Sequence, residues 1–271
     1  ESGVDPGEDA GHGRWTLLHR GMRAQVRRDL GLEADLRRAI NTDAFEPYFQ
    51  PIVRVDDGAV VGHEALLRWR HETRGLLAPD QFLDVGEDSG LIELVDWLLY
   101  ARVIEGMARG RQRGYVAINV SPRHFRSPGF ATRLLGLLDD AKVDPSRLRI
   151  EITEVALLDD EPRVSRSLQL LRERGVLAQL DDFGTGFSAL SYLHRFPIAA
   201  LKIDRSFVAG LDPGMQGESC AVVRAIIALA DSLGIETIAE GVETDAQRDC
   251  LRALHCRYAQ GYLFGRPAPD A

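Results

Sequence analysis

The sequence predicts an α/β protein: an eight-stranded (β/α)8 barrel of the TIM type, with an antiparallel first strand and a connector helix in front of it. Three observations carry this prediction. From Phe45 onward, short β-branched runs alternate with helical patterns, as in a parallel sheet covered by helices. Eight such runs can be counted in the 271 residues, and 45% hydrophobic residues suffice for the core of a closed barrel. The link between the first two runs, VDDGAV at 55–60, is a turn rather than a helix, so it sends the chain back antiparallel. An open doubly wound sheet is the alternative architecture.

Along the chain, residues 1–13 hold four glycines and four acids with almost no apolar content, a composition that predicts a disordered lead-in. Residues 14–41 read as the connector helix. Leu18, Met22, Val26, Leu30, Leu36 and Ile40 fall near helical spacing, Gly31 weakens the middle and Asn41 suits the end. The barrel is expected over 42–271. Its strands are predicted at 48–53, 60–69, 115–120, 148–153, 176–182, 200–204, 235–242 and 257–264, with helices near 89–109, 129–141, 162–174, 187–195, 217–233 and 244–253.

Composition narrows the function. A net charge of −8 argues against electrostatic capture of a DNA or RNA duplex. Cys220, Cys250 and Cys256 show neither CxxC nor zinc-finger spacing and read as reduced structural thiols. With no run near the ~18–20 apolar residues of a membrane span and no signal segment, a cytoplasmic fragment without membrane contact of its own is expected. Because the chain opens on Glu1 rather than Met, a sensor or membrane-anchored region upstream is compatible with that expectation. Arginine outnumbers lysine 31 to 2, yet Lys202 stands inside the apolar stretch AALKID, where a compact ammonium does what a guanidinium cannot.

The chemistry concentrates at LDDFGTGFSAL, 180–190. Asp181 and Asp182 repel each other unless a cation sits between them, and Gly184 and Gly186 let the chain turn sharply beside them. The other runs also carry embedded polar residues: Gln50, Glu64, Asn119, Glu151, Lys202, Glu240 and Gln260. Barrel enzymes gather catalytic groups from the carboxyl ends of many strands. Ligands that are all oxygen point to magnesium or manganese, and the number of acids points to two metals sharing an aspartate. His63, beside Glu64, belongs to the opposite face of its strand and reads as structural.

EALLRW at 64–69, INVSP at 118–122, EITE at 151–154, DDFGTGFSAL at 181–190, LKIDRSF at 201–207, IAEGVET at 238–244 and QGYLFGRP at 260–267 follow in one order. From about Thr42 to Pro269 the chain resembles the EAL family of cyclic di-GMP phosphodiesterases. The resemblance implies cleavage of cyclic di-GMP to linear pGpG, with a non-hydrolysing cyclic di-GMP receptor as the alternative. It implies that Glu64, Asn119, Glu151 and Asp181 bind one metal, and that Asp181 bridges to a second held by Asp182 and Glu240. Lys202 and Glu243 would hold the attacking water. Gln50, Arg68, Asp204 and Gln260 would face substrate, and Glu154 would anchor the DFGTG loop. The family likeness further implies magnesium or manganese as cofactor, calcium as an inhibitor, and a homodimer through the surface after that loop. The segment MRAQVRRDLGLEADLRRAI at 22–40 resembles the helix that links a GGDEF domain to an EAL domain.

Overall fold

The structure, a computed structural model, describes residues 30–158, 161–184, 193, 195–211, 214 and 217–269. Among them, one compact unit is drawn from the segments up to Phe45 and Trp69–Val95, and a larger one from Glu46–Arg68 and Asp96 onward.

The strands are β1 (Phe45–Arg54), β2 (Val60–His71), β3 (Gly75–Leu77), β4 (Tyr115–Asn119), β5 (Leu148–Thr153), β6 (Leu177–Phe183), β7 (Ile198–Ile203), β8 (Glu236–Ala239) and β9 (Tyr258–Gln260). They run in the order β1-β9-β8-β7-β6-β5-β4-β2-β3, and a further pairing of β1 with β2 closes eight of them into a barrel. The neighbours from β2 through β4 to β9 are parallel, whereas β1 meets β9 antiparallel with Ile52 opposite Gln260. The turn responsible is the one expected: Gly58 takes φ 70° and donates to Arg54 O at 2.9 Å, and Arg54 N–H reaches Ala59 O at 2.9 Å.

Period-2 alternation sorts each strand. Along β5, Leu148, Ile150 and Ile152 lie under the helical layer, while Arg149, Glu151 and Thr153 belong to the opposite, inner face. Deep in the barrel, Ile52, Tyr115, Ala117, Ala200 and Ile238 form a buried apolar cluster. Small side chains there make room for one aromatic: a Cβ on Gly62 would lie 2.7 Å from the Tyr115 ring. Outside, α3 (Ile92–Ala108), α5 (Phe130–Ala141), α7 (Glu161–Glu173), α9 (Glu218–Leu233) and α10 (Asp245–Ala253) lie where helices were expected. The helix expected at 187–195 falls largely outside the described residues.

Short elements escaped the sequence pattern. They are β3, α2 (Leu83–Asp88), α4 (Pro122–Phe125), α6 (Glu154–Leu158) and α8 (Arg205–Ala209), each too short to show a period. The last strand is shorter than expected. It stops at Gln260 because Gly261 lies against the Val242 backbone, and the chain turns there. In the smaller unit, residues 30–39 form α1, ending in a turn where Asn41 N–H donates to Arg38 O at 3.2 Å. His71 Nε2 meets Asp35 Oδ2 at 3.1 Å, and Trp69 packs between Phe45 and Phe82 with ring centroids 5.6 and 5.3 Å away. The lead-in and the connector before residue 30 lie outside the described residues.

Gly261 gives a direct test of how tightly the barrel closes. A Cβ there would stand 2.1 Å from Val242 O and 2.3 Å from Val242 N, backbone atoms that no rotamer can move. Gly261→Ala should therefore cost about 1–3 kcal/mol or more in chemical denaturation. Stability equal to the parent would show that the Val242 segment yields.

Candidate active and metal-binding site

Lys202 is the centre of the site. It leaves β7 with 1% of its side chain exposed, and an ammonium that deep must be paired. Its Nζ lies 2.6 Å from Glu151 Oε2, 2.6 Å from Glu240 Oε1, 3.3 Å from Asp181 Oδ1 and 3.7 Å from Glu64 Oε2. Burial alone would pull the lysine down. The charges of Asp181, Glu151, Glu240 and Glu64 outweigh it and hold the lysine well above its ordinary value.

Glu64 is fixed by amides from either flank of β2, Asn119 on the neighbouring β4 and Gln260 on β9 beyond β1. Asn119 Nδ2 donates to its Oε1 at 2.6 Å and Gln260 Nε2 to its Oε2 at 2.6 Å. Gln260 Nε2 also donates to Gln50 Oε1 at 2.9 Å, and Gln50 Nε2 in turn donates to Gly265 O at 3.0 Å. Burial works to raise Glu64, but Lys202 and the Asn119 and Gln260 amides hold it below its ordinary value. Gln260 Oε1 is left buried without a donor.

The remaining acids are in surplus. Ligand oxygens of Asp181, Asp182 and Glu240 all lie within 4.8 Å of one another. Asp182 reaches that cluster through a left-handed backbone, φ 54°, with its N–H donated to Asp181 Oδ1 at 3.0 Å. Burial raises Glu240 to about 8 against the pull of Lys202, with Asp181 and Glu64 adding to the rise. Burial and Glu64 push Glu151 well up, and burial, Asp181 and Asp204 raise Asp182. One ammonium cannot neutralise Glu64, Glu151, Asp181, Asp182 and Glu240 together. An oxygen set with residual negative charge fits hard divalent cations.

A cavity of about 210 Å³ opens beside this cluster, lined by Gln50, Glu64, Glu240, Glu243 and Gln260 together with Leu66, Arg205 and Tyr262. The last three were not singled out from sequence. Arg205 and Tyr262 nevertheless sit inside the blocks LKIDRSF and QGYLFGRP, beside residues that were. Arg68 is half-buried two residues beyond Leu66 on β2, its guanidinium 5.5 Å above the Tyr48 ring and bonded to Leu67 O at 2.8 Å. The Asp204 carboxylate is engaged as a helix cap, accepting from Ser206 N–H at 3.0 Å. Glu154 Oε1 accepts from Gly184 N–H at 3.4 Å while its Oε2 is buried and unpaired; Thr185 lies outside the described residues. His63, buried on the other face of β2, is lowered by burial against a hydrogen bond with the Arg113 backbone.

A sequence profile of the EAL domain matches residues 33–267. The chain belongs to the EAL domain family. It is 41% identical over 263 residues to an uncharacterized signaling protein of Caulobacter vibrioides, covering 97% of this chain and 32% of that one. It is 39% identical over 240 residues to the cyclic di-GMP phosphodiesterase RocR of Pseudomonas aeruginosa, covering 88% and 61%. The chain thus spans about a third of the length of the first such relatives, and under two thirds of RocR. Among solved structures, the PaMucR phosphodiesterase in complex with c-di-GMP superposes with a TM-score of 0.82 at 36% identity, covering 88% of this chain and 98% of that one. The EAL enzyme Bd1971 with cAMP and cyclic di-GMP bound gives a TM-score of 0.83 at 32% identity, covering 94% and 72%.

The raised carboxyls make this EAL domain's stability depend on pH in an unusual direction. Folded, Glu240 holds its proton to about pH 8, and burial shifts Glu151, Asp182 and Glu154 in the same direction, whereas the unfolded chain releases these protons at ordinary carboxylate pH. Their contribution is complete below about pH 4 and is lost as pH rises through the folded value, about 8 for Glu240. Glu64, lowered, changes nothing at neutral pH, and His63, lowered by burial, opposes the trend only below about pH 7, where the unfolded imidazole takes a proton. In chelator, the thermal midpoint should therefore fall between about pH 7 and about pH 8. Manganese added at the upper end should restore it. A midpoint that rises across that range would contradict the charge surplus.

Proposed function

We propose that this EAL domain hydrolyses one phosphodiester bond of cyclic di-GMP to give linear pGpG, using two divalent cations, magnesium or manganese. The observation that carries the reading is the convergence of Glu64, Asn119, Glu151, Asp181, Asp182 and Glu240 around Lys202 at the carboxyl ends of the strands. Relatives named as cyclic di-GMP phosphodiesterases support the substrate class. Glu64, Asn119, Glu151 and Asp181 would hold one cation, and Asp181, Asp182 and Glu240 the other. Cations bound there lower the pKa of a coordinated water and offset charge on the phosphoryl oxygens.

The chain's own groups do the rest. Lys202 holds carboxylates that would otherwise repel each other and offers a hydrogen bond to the attacking water from inside their ring. Glu243, on the wall of the cavity, accepts from that water's network. Asn119 and Gln260 keep Glu64 aimed, so its geometry survives an exchange of substrate for product. Arg68, poised over Tyr48, brings a planar fork suited to a phosphate or a guanine edge. Gln50, Gln260 and Asp204 complete the substrate side. Residues 42–271 form the catalytic barrel, 14–41 the connector to an upstream domain, and two copies pair through the surface after the DFGTG loop. A relative named as a bifunctional diguanylate cyclase/cyclic di-GMP phosphodiesterase supports an upstream GGDEF domain.

Incubation with cyclic di-GMP and manganese should yield pGpG. Excess chelator should abolish the product, and calcium, with its longer bonds, should inhibit. Glu64→Ala should remove turnover, whereas Arg68→Ala should act mainly by raising KM. Cyclic di-GMP bound at saturating manganese with no pGpG formed would favour the receptor instead.

Glu154 separates loop support from chemistry. Its carboxylate holds Gly184 N–H two residues after Asp182. Glu154→Ala should lower turnover about ten- to a hundredfold at limiting magnesium while the thermal midpoint moves little. Parental rates under those conditions would remove Glu154 from the mechanism.

A further inference from the structure

We infer that Gln179 is a positioning residue that clamps Glu151 from the floor of the barrel so that one carboxylate oxygen alone faces the cation site, an inference that rests on Glu151 being a cation ligand. Gln179 lies on β6 directly opposite Glu151 on β5 and is wholly buried. Its amide stands between Glu151 and Arg149, with nitrogen 3.1 Å from Glu151 Oε1 and oxygen 2.8 Å from Arg149 Nη1. Chemistry allows only that orientation. A guanidinium can only donate, so the amide must turn its oxygen to Arg149, which leaves its nitrogen, a donor, facing Glu151 Oε1.

The two ends of this relay are both fixed. Arg149 lies 3.7 Å over the Tyr115 ring and donates to Glu236 Oε2 at 3.3 Å, so the guanidinium cannot follow Gln179 upward. Glu151 Oε2 takes Lys202 Nζ at 2.6 Å. With Oε1 held downward by Gln179, the carboxylate cannot rotate to offer both oxygens. Glu151 therefore binds a cation through Oε2, in competition with Lys202, and Gln179 keeps that oxygen in place. In sequence, Gln179 is one more polar residue embedded in the apolar run at 176–182, two places before Asp181.

The test is manganese binding to the metal-free chain, measured by calorimetry, alongside kinetics. Gln179→Met keeps the length and removes the hydrogen bonds. It should weaken manganese about ten- to a hundredfold and lower turnover at limiting manganese, with saturating manganese restoring the rate and KM for cyclic di-GMP within about threefold. Arg149→Met should shift manganese affinity the same way, and the double variant should be no weaker than Gln179→Met, because both break one relay. Glu151→Gln is the control. If it loses manganese while Gln179→Met binds as the parent does, the positioning role is overturned. If Glu151→Gln itself binds as the parent does, the ligand reading fails instead. Should Gln179→Met not fold, parental affinity in Arg149→Met overturns the relay.

Discussion

A lysine ammonium sealed from water keeps its charge only if carboxylates surround it, and at Lys202 that requirement organises the barrel. Its partners come from β2, β5, β6 and the segment just after β8, so a single nitrogen ties together strands far apart in sequence. Each acid tolerates the others because the ammonium is among them. An arginine would not serve as well, since its flat fork pairs edge-on with one carboxylate at a time.

Beneath that ring the barrel is built in layers with different duties. Ile52, Tyr115, Ala117, Ala200 and Ile238 exclude water from the floor. Exclusion raises the cost of every unpaired charge above it, which is why Glu151 and Glu240 are pushed toward holding protons. The apolar floor thus sets the electrostatics of the mouth. The glycine at position 62, by leaving space for the Tyr115 ring, lets an aromatic rather than an aliphatic side chain carry Arg149.

Much of this was legible in the residues. The strands were readable because half-buried β-branched runs repeat at period two, and Lys202 stood out because an arginine-rich chain had spent a lysine in an apolar stretch. The acids now brought together were visible as isolated polar residues in otherwise apolar runs. Their connections were not. Gln260 reaches Glu64 across 196 positions, a contact that exists only once the barrel closes. Asp204 carries both a place in the LKIDRSF block and the sequence of a helix cap, and sequence alone does not say which engages its carboxylate. Elements of three to six residues, such as β3 and α2, leave no periodic trace at all.

The amide of Gln260 has a consequence for what can enter the mouth. Both of its hydrogens are committed, one to Gln50 and one to Glu64, and its oxygen is buried with no donor in reach. That corner has a lone pair to offer and no proton. Only a hydrogen-bond donor can satisfy that oxygen, and an acceptor placed against it is repelled. One corner of the cavity wall is thereby selective for hydrogen-bond donors before any charge acts.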